Sequence, residues 1–257
     1  MFLWRNCQSW KKEVFVKRVP PCYNQKKYTP PKSENRKKRG AVMVEQKMKK
    51  RCFIFSAGTF YGLREVPQKE DLVIAADAGY RVCQQAGVVP DLLLGDFDSM
   101  EQPEDFSNIL RVPVEKDDTD TMLAVRKGLE YGCSEFYFYG STGGKRLDHT
   151  LANLQALLWL RGQGAHGYMY DDDFVFTVIQ EETLRIRKEV EWGLVSVFCL
   201  GETASGITET GMQYALADAS LRADQPMGVS NHMMEDQAEI TVKSGRLVVG
   251  WELPAQK

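Results

Sequence analysis

The chain has no run approaching the roughly 18 apolar residues that a membrane-crossing helix needs, and its first residues lack the uninterrupted apolar stretch of a signal peptide. Its six cysteines, Cys7, Cys22, Cys52, Cys83, Cys133 and Cys199, are scattered and form no C-x-x-C pair. That spacing argues against a zinc site or a disulfide framework and suits a reducing compartment, so a cytoplasmic location with no membrane partner is expected. Nucleotide signatures of the common kinds are missing too. No G-x-G-x-x-G follows the first apolar run, and no G-x-x-x-x-G-K-[ST] occurs, which counts against dinucleotide-dependent oxidoreductases and P-loop enzymes. No internal repeat is apparent.

What is present is a globular composition, 43% hydrophobic and 26% charged over 257 residues. The net charge of -2 hides a division. Residues 1–51 hold 16 of the 33 Lys and Arg but only Glu13, Glu34 and Glu45 as acids, which leaves 17 basic against 32 acidic side chains in the remainder. An acidic body is a poor general binder of nucleic acid, because such binding draws on Lys and Arg neutralising phosphates. Cation binding suits it better. Residues 1–50 mix clusters such as Arg36-Lys37-Lys38-Arg39 with Pro20-Pro21 and Pro30-Pro31 and hold no sustained period, so a basic, disordered extension is expected there.

From Cys52 onward short apolar runs end in small or acidic residues, at Cys52–Ala57, Leu72–Ala76, Leu92–Leu94 and Phe136–Tyr139. With helical patterns at Thr119–Tyr131 and Leu147–Gly162 between and after them, they predict an α/β domain over 51–165, an open and mostly parallel sheet with flanking helices. After about Ala165 only short β-rich runs follow, which predicts a smaller all-β sandwich over 166–257. Ligands on open α/β sheets gather at the carboxyl ends of the strands.

Four such ends carry chemistry. Leu92-Leu93-Leu94-Gly95-Asp96-Phe97-Asp98-Ser99 closes an apolar strand with two carboxylates one residue apart, which point the same way if the backbone stays extended. Paired hard oxygens suit magnesium, although an ordinary turn with aspartates on backbone amides fits the same residues. Asp117-Asp118-Thr119-Asp120 opens a helix, where an N-cap is the ordinary role; Asp120 is the residue assigned to chemistry. Gly140-Ser141-Thr142-Gly143-Gly144-Lys145-Arg146-Leu147-Asp148-His149 leads from a strand into a helix, placing amides and Arg146 where a phosphate could bind. Asp148 could cap that helix, and His149 reads as a polar helix residue. Ala75-Ala76-Asp77-Ala78-Gly79 ends another strand with a carboxylate that could bond a hydroxyl or amine.

In order, A-A-D-A-G, G-D-F-D-S, D-D-T-D, G-G-K-R-L-D-H-T-L-A-N and a late G-V-S-N resemble the thiamine pyrophosphokinase family over about residues 52–252. The resemblance implies a transferase that moves pyrophosphate from Mg-ATP to the hydroxyl of thiamine, releasing AMP. It also implies a homodimer with thiamine bound between subunits. Carried over by motif, the catalytic residues are Asp96, Asp98, Asp120, Arg146 and Asp148, with magnesium on Asp96, Asp98 and Asp120. The nucleotide side is assigned Asp77, Ser99, Thr119, Gly143, Gly144 and Lys145. The thiamine side is assigned Tyr214, standing where some relatives carry tryptophan, with Ser230 and Asn231.

Two other readings compete. A metal-dependent nucleotide-sugar transferase would also use D-x-D after a strand, but it leaves the R-L-D-H helix start and the β-rich tail unexplained. A non-catalytic nucleotide- or thiamine-binding regulator would need fewer acids than this chain gathers.

Overall fold

Continuous apolar runs become strands buried on both faces, and here they assemble one long sheet. The computed structural model describes residues 51–95, 108–111 and 118–256; the expected N-terminal extension, Asp96, Asp98 and Ser99 lie outside them. The first half contains β1 (Arg51–Phe55), β2 (Leu72–Ala76), α1 (Gly79–Ala86), β3 (Leu92–Gly95), β4 (Ile109–Arg111), α2 (Asp120–Glu130), β5 (Glu135–Tyr139) and α3 (Leu147–Gly162). The second contains β6 (His166–Tyr170), β7 (Phe174–Gln180), β8 (Thr183–Arg187), β9 (Leu194–Phe198), β10 (Thr203–Thr210), β11 (Leu216–Arg222), β12 (Gly228–His232), β13 (Gln237–Thr241) and β14 (Arg246–Glu252).

Ten strands share the order β12-β9-β14-β7-β6-β5-β1-β2-β3-β4. From β4 across to β6 neighbours run parallel, and from β6 to β12 they run antiparallel. A second, antiparallel sheet, β11-β10-β13-β8, packs over the antiparallel end. The parallel sheet with flanking helices and the β-sandwich are the predicted architecture. Strands from both halves of the chain share the long sheet through the β5–β6 pairing.

The period of two sorts the parallel strands into two cores. Cys52, Ile54, Phe136 and Phe138 face α2 and α3, with Leu157, Leu160 and Met169 among them. Phe53, Phe55, Tyr137 and Tyr139 face the other way, packed with Val82 and Cys83 of α1. A third core of Ile179, Ile207, Ile240 and Val249 fills the space between the two sheets.

Four elements were not expected from the sequence: α1, β10, β11 and β12. Helix α1 spans only eight residues, and its opening turn signals, Ala78 and Gly79, mask it. Strands β10–β12 are rich in Thr, Ser, Asp and Gly, and β11 and β12 are edge strands. Each pairs through register shifts, so no clean alternation marks them.

The strand order carries the functional consequence. The chain places β2 on one side of β1 and returns later to place β5 on the other, so the crevice at their carboxyl ends is a topological switch point. The ends of β1, β2 and β5 and the starts of α2 and α3 all meet there.

Candidate active site

At this switch point lies a cavity of about 300 Å³. It is lined from β1 by Ser56, Ala57 and Gly58, from β2 by Ala76 and Asp77, and from the start of α2 by Thr119, Asp120 and Thr121. The loop after β5 supplies Gly140 to Arg146, and α3 supplies His149, Thr150, Ala152 and Asn153.

Backbone pairing brings the walls close. The Gly58 amide donates to the Gly140 carbonyl at 2.6 Å and the Thr59 amide to that of Thr142 at 3.1 Å. A Cβ on Gly58 would sit 2.5 Å from both carbonyl oxygens, so a larger residue cannot occupy this position without parting the two loops. Behind the wall, Ser56 Oγ and Thr121 Oγ1 are 2.9 Å apart, Ser141 Oγ donates to Ser56 Oγ at 3.3 Å, and Asn153 Nδ2 donates to the Ser141 carbonyl at 2.8 Å. Thr142 Oγ1 donates to Asp171 Oδ1 at 2.8 Å, tying the glycine loop to the end of β6. These groups hold the loop before any ligand arrives. Sequence reasoning missed Ser56, Thr121, Ser141 and Asn153; their signal was small polar residues at strand exits and helix starts, which surface turns share.

Within the D-D-T-D segment the roles separate. Asp118 accepts from Arg126 Nε at 2.8 Å, and that guanidinium lies over the Trp159 ring at 4.6 Å. Thr119 is the N-cap of α2, its hydroxyl accepting from the Met122 amide at 3.1 Å. Thr119→Ala should therefore lower stability by about 1 kcal/mol, read as a fall in the urea midpoint at unchanged slope. Asp120 lines the cavity. Asp77, at the end of β2, takes the left-handed conformation with φ 47°, a geometry aspartate tolerates better than most residues, and it also lines the cavity.

Arg146 is the N-cap of α3 and makes no side-chain cap hydrogen bond, and the His149 amide donates to the Arg146 carbonyl at 3.2 Å. Gly143 and Gly144 stand in the left-handed region at φ 65° and 75°. Arg146 and Asp148 form a two-pronged ion pair, Nε–Oδ1 2.9 Å and Nη2–Oδ2 2.5 Å. The Arg146 hydrogen bond pushes the Asp148 carboxyl down to about 2. Both side chains are largely exposed. Asp148 does not line the cavity; its carboxylate is turned onto Arg146.

The structure thus brings together Asp77, Thr119, Asp120, Gly143, Gly144, Lys145 and Arg146. It places Tyr214, Ser230 and Asn231 elsewhere, in the second half, outside the lining of this cavity. Tyr214 is 66% exposed. Asn231 is buried, its Oδ1 accepting from the Tyr214 amide at 3.0 Å and its Nδ2 donating to the Tyr214 carbonyl at 2.9 Å. Ser230 has a left-handed φ of 57°, and its amide donates to Ser196 Oγ at 3.0 Å.

Of the residues assigned to magnesium, Asp120 lines the cavity and offers the hard oxygen that magnesium prefers, and one or two carboxylates commonly suffice when phosphate and water complete the sphere. Among the described residues no three such donors gather as a metal group. No helix among them is long and apolar enough to cross a membrane.

Two family models match the chain in order: "Thiamin pyrophosphokinase, catalytic domain" over residues 63–169 and "Thiamin pyrophosphokinase, vitamin B1 binding domain" over residues 181–247. A thiamine pyrophosphokinase of Bacillus subtilis is 26% identical over 184 residues, which is 69% of this chain and 86% of that protein. The crystal structure of thiamine pyrophosphokinase from Bacillus subtilis superposes with a TM-score of 0.69 at 24% identity, over 79% of this chain and 99% of that one. The yeast enzyme's structure gives 0.65 at 14% identity, over 80% and 87%. Both have the same fold.

Proposed function

Because the chain belongs to the thiamine pyrophosphokinase family, both of whose domains match it in order, we propose that it transfers pyrophosphate from Mg-ATP to the hydroxyl of thiamine. The observation that carries this reading is the convergence of three strand ends and two helix starts on one cavity, lined by Asp77, Asp120, the glycine loop and Arg146.

In the reaction the thiamine hydroxyl oxygen forms a bond to the β-phosphorus of ATP while the bond from that phosphorus to the α–β bridging oxygen breaks. AMP leaves with the bridging oxygen, and the hydroxyl proton passes to a carboxylate, Asp96 or Asp98. The amides of the glycine loop and the positive end of the α3 dipole hold phosphate oxygens, and Arg146 adds a positive charge beside them. Asp120, with Asp96 and Asp98, would hold magnesium, which supplies neutralisation of the triphosphate charge. Asp77, Ser99, Thr119 and Lys145 complete the nucleotide side, and Asp148 orients Arg146 through its ion pair.

Tyr214, with Ser230 and Asn231, forms the thiamine side, the exposed phenol ring meeting the cationic thiazolium. That Tyr214 does not line the phosphate cavity supports a homodimer in which each subunit offers its Tyr214 to the other's cavity. The four cysteines among the described residues are all buried, and the six in the sequence form no C-x-x-C pair, which supports a cytoplasmic setting. A nucleotide-sugar transferase would leave this second half without a role.

The test is incubation of the purified chain with ATP, magnesium and thiamine, with products resolved by chromatography. AMP and thiamine diphosphate should appear in equal amounts. ADP with thiamine monophosphate would overturn the proposed attack at the β-phosphorus.

A further inference from the structure

Strand β10 buries a carboxylate that the mechanism does not use. Glu209 is 3% exposed, its Oε1 is buried without a hydrogen-bond partner, and its Oε2 lies 3.5 Å from Asn231 Nδ2. Across from it on the neighbouring strands stand Leu216 and Ile240, so an apolar side chain would be the ordinary occupant. An acid buried among such neighbours destabilises the fold unless another group needs it.

The group that needs it is the Asn231 carboxamide. Its Oδ1 accepts from two amides, those of Tyr214 and His232, each at 3.0 Å, while its Nδ2 donates to the Tyr214 carbonyl at 2.9 Å. Turned over, the same carboxamide would set its NH₂ against two N–H donors and its oxygen against a carbonyl. An acceptor for the second N–H of the NH₂ group adds to these bonds and strengthens the orientation in which Asn231 grips Tyr214 at both ends of its backbone. Glu209 is that acceptor.

We propose that Glu209 is a positioning residue for thiamine, holding the Asn231 carboxamide in the orientation that fixes Tyr214. The inference rests on the reading of Tyr214 as the residue that meets the thiamine ring. Burial raises the Glu209 carboxyl to about 6, opposed by its hydrogen bond to Asn231. It is thus a carboxylate at neutral pH and gains a proton as pH falls through that value. The charged groups on the strands beside it are engaged elsewhere, Asp218 of β11 with Lys243 and Glu239 of β13 with Arg185. His232 of β12 is the other titratable neighbour, with its ring edge-on to Trp192.

The experiment is a set of steady-state measurements from pH 5 to 8 on the full chain, Glu209→Gln, Glu209→Leu and Tyr214→Ala, with folding checked by thermal melting. In the unaltered chain KM for thiamine should rise several-fold below pH 6 while KM for ATP stays level. Glu209→Gln, which like the protonated acid is uncharged at every pH, should show the raised KM throughout and lose the rise. Glu209→Leu should raise KM for thiamine about tenfold with KM for ATP within about twofold. A rise that persists in Glu209→Gln assigns the titration to another group, such as His232, and overturns the proposal. So does an unmoved KM for thiamine in Glu209→Leu, provided Tyr214→Ala raises it. If Tyr214→Ala itself leaves KM for thiamine unchanged, the reading of Tyr214 fails, and this inference with it.

Discussion

Asp120→Asn should lower turnover on the order of a thousandfold while the chain stays folded. Asp120 is the first residue of α2 and lines the cavity at the switch point. Asparagine keeps the size of the side chain but removes its negative charge, so the change tests the charge alone. The loss of one acid from the first turn costs the helix about 0.3–1 kcal/mol, small against the stability of a domain. Catalysis should suffer far more. Charge neutralisation by a bound magnesium ion contributes several kcal/mol in the transition state, and each ~1.4 kcal/mol is a factor of ten in rate. The measurement is kcat for thiamine diphosphate formation at saturating substrates, with the melting temperature as control. A kcat within tenfold of the unaltered chain would remove Asp120 from the metal site, and raised magnesium should partly restore the variant if the assignment holds.

The sequence was legible where one physical demand acted alone. Leu92-Leu93-Leu94 and Leu72–Ala76 are buried on both faces, and only a central parallel strand asks for such runs. Thr119 and the acids around it announced a helix start, and Asp118 proved to be the structural member of that group through Arg126. Where two demands overlapped, legibility failed. Gly79 opens α1 and has to be glycine because a Cβ there would collide with the Phe55 carbonyl, but from sequence Ala-Asp-Ala-Gly reads as a tight turn. Strands β10 to β12 serve a sandwich and a proposed ligand surface together, and their polar residues erased the alternation that marks a strand. Glu209 was invisible for a related reason: in Thr208-Glu209-Thr210 it looks like a solvated residue, and only the pairing with Ile240 turns it inward.

The site depends as much on a backbone shape as on any carboxylate, and Gly140→Ala isolates that dependence. Gly140 follows β5 with φ 60°, and its carbonyl accepts from the Gly58 amide, one of the backbone bonds that lock the glycine loop to the β1 exit. Alanine in the left-handed region costs roughly 1–2 kcal/mol. Its methyl group would also collide with the Ser56 carbonyl oxygen and come within 3.3 Å of Val82 Cγ2. The loop must therefore shift, carrying Gly143, Gly144 and the start of α3 with it, and a displacement of about 1 Å at a phosphate-binding surface costs roughly a hundredfold in rate. Gly164→Ala is the matched control. Gly164 has a comparable φ of 86° in the turn after α3, but a Cβ there meets nothing within 4 Å. Gly164→Ala should melt about 3–8 °C lower from backbone strain alone, and Gly140→Ala by at least as much, since it carries the collision as well. Only Gly140→Ala should lose catalysis, about a hundredfold in kcat/KM for ATP. Equal activities in the two variants would mean that the loop tolerates the displacement, and that its backbone amides do not set the position of the phosphates.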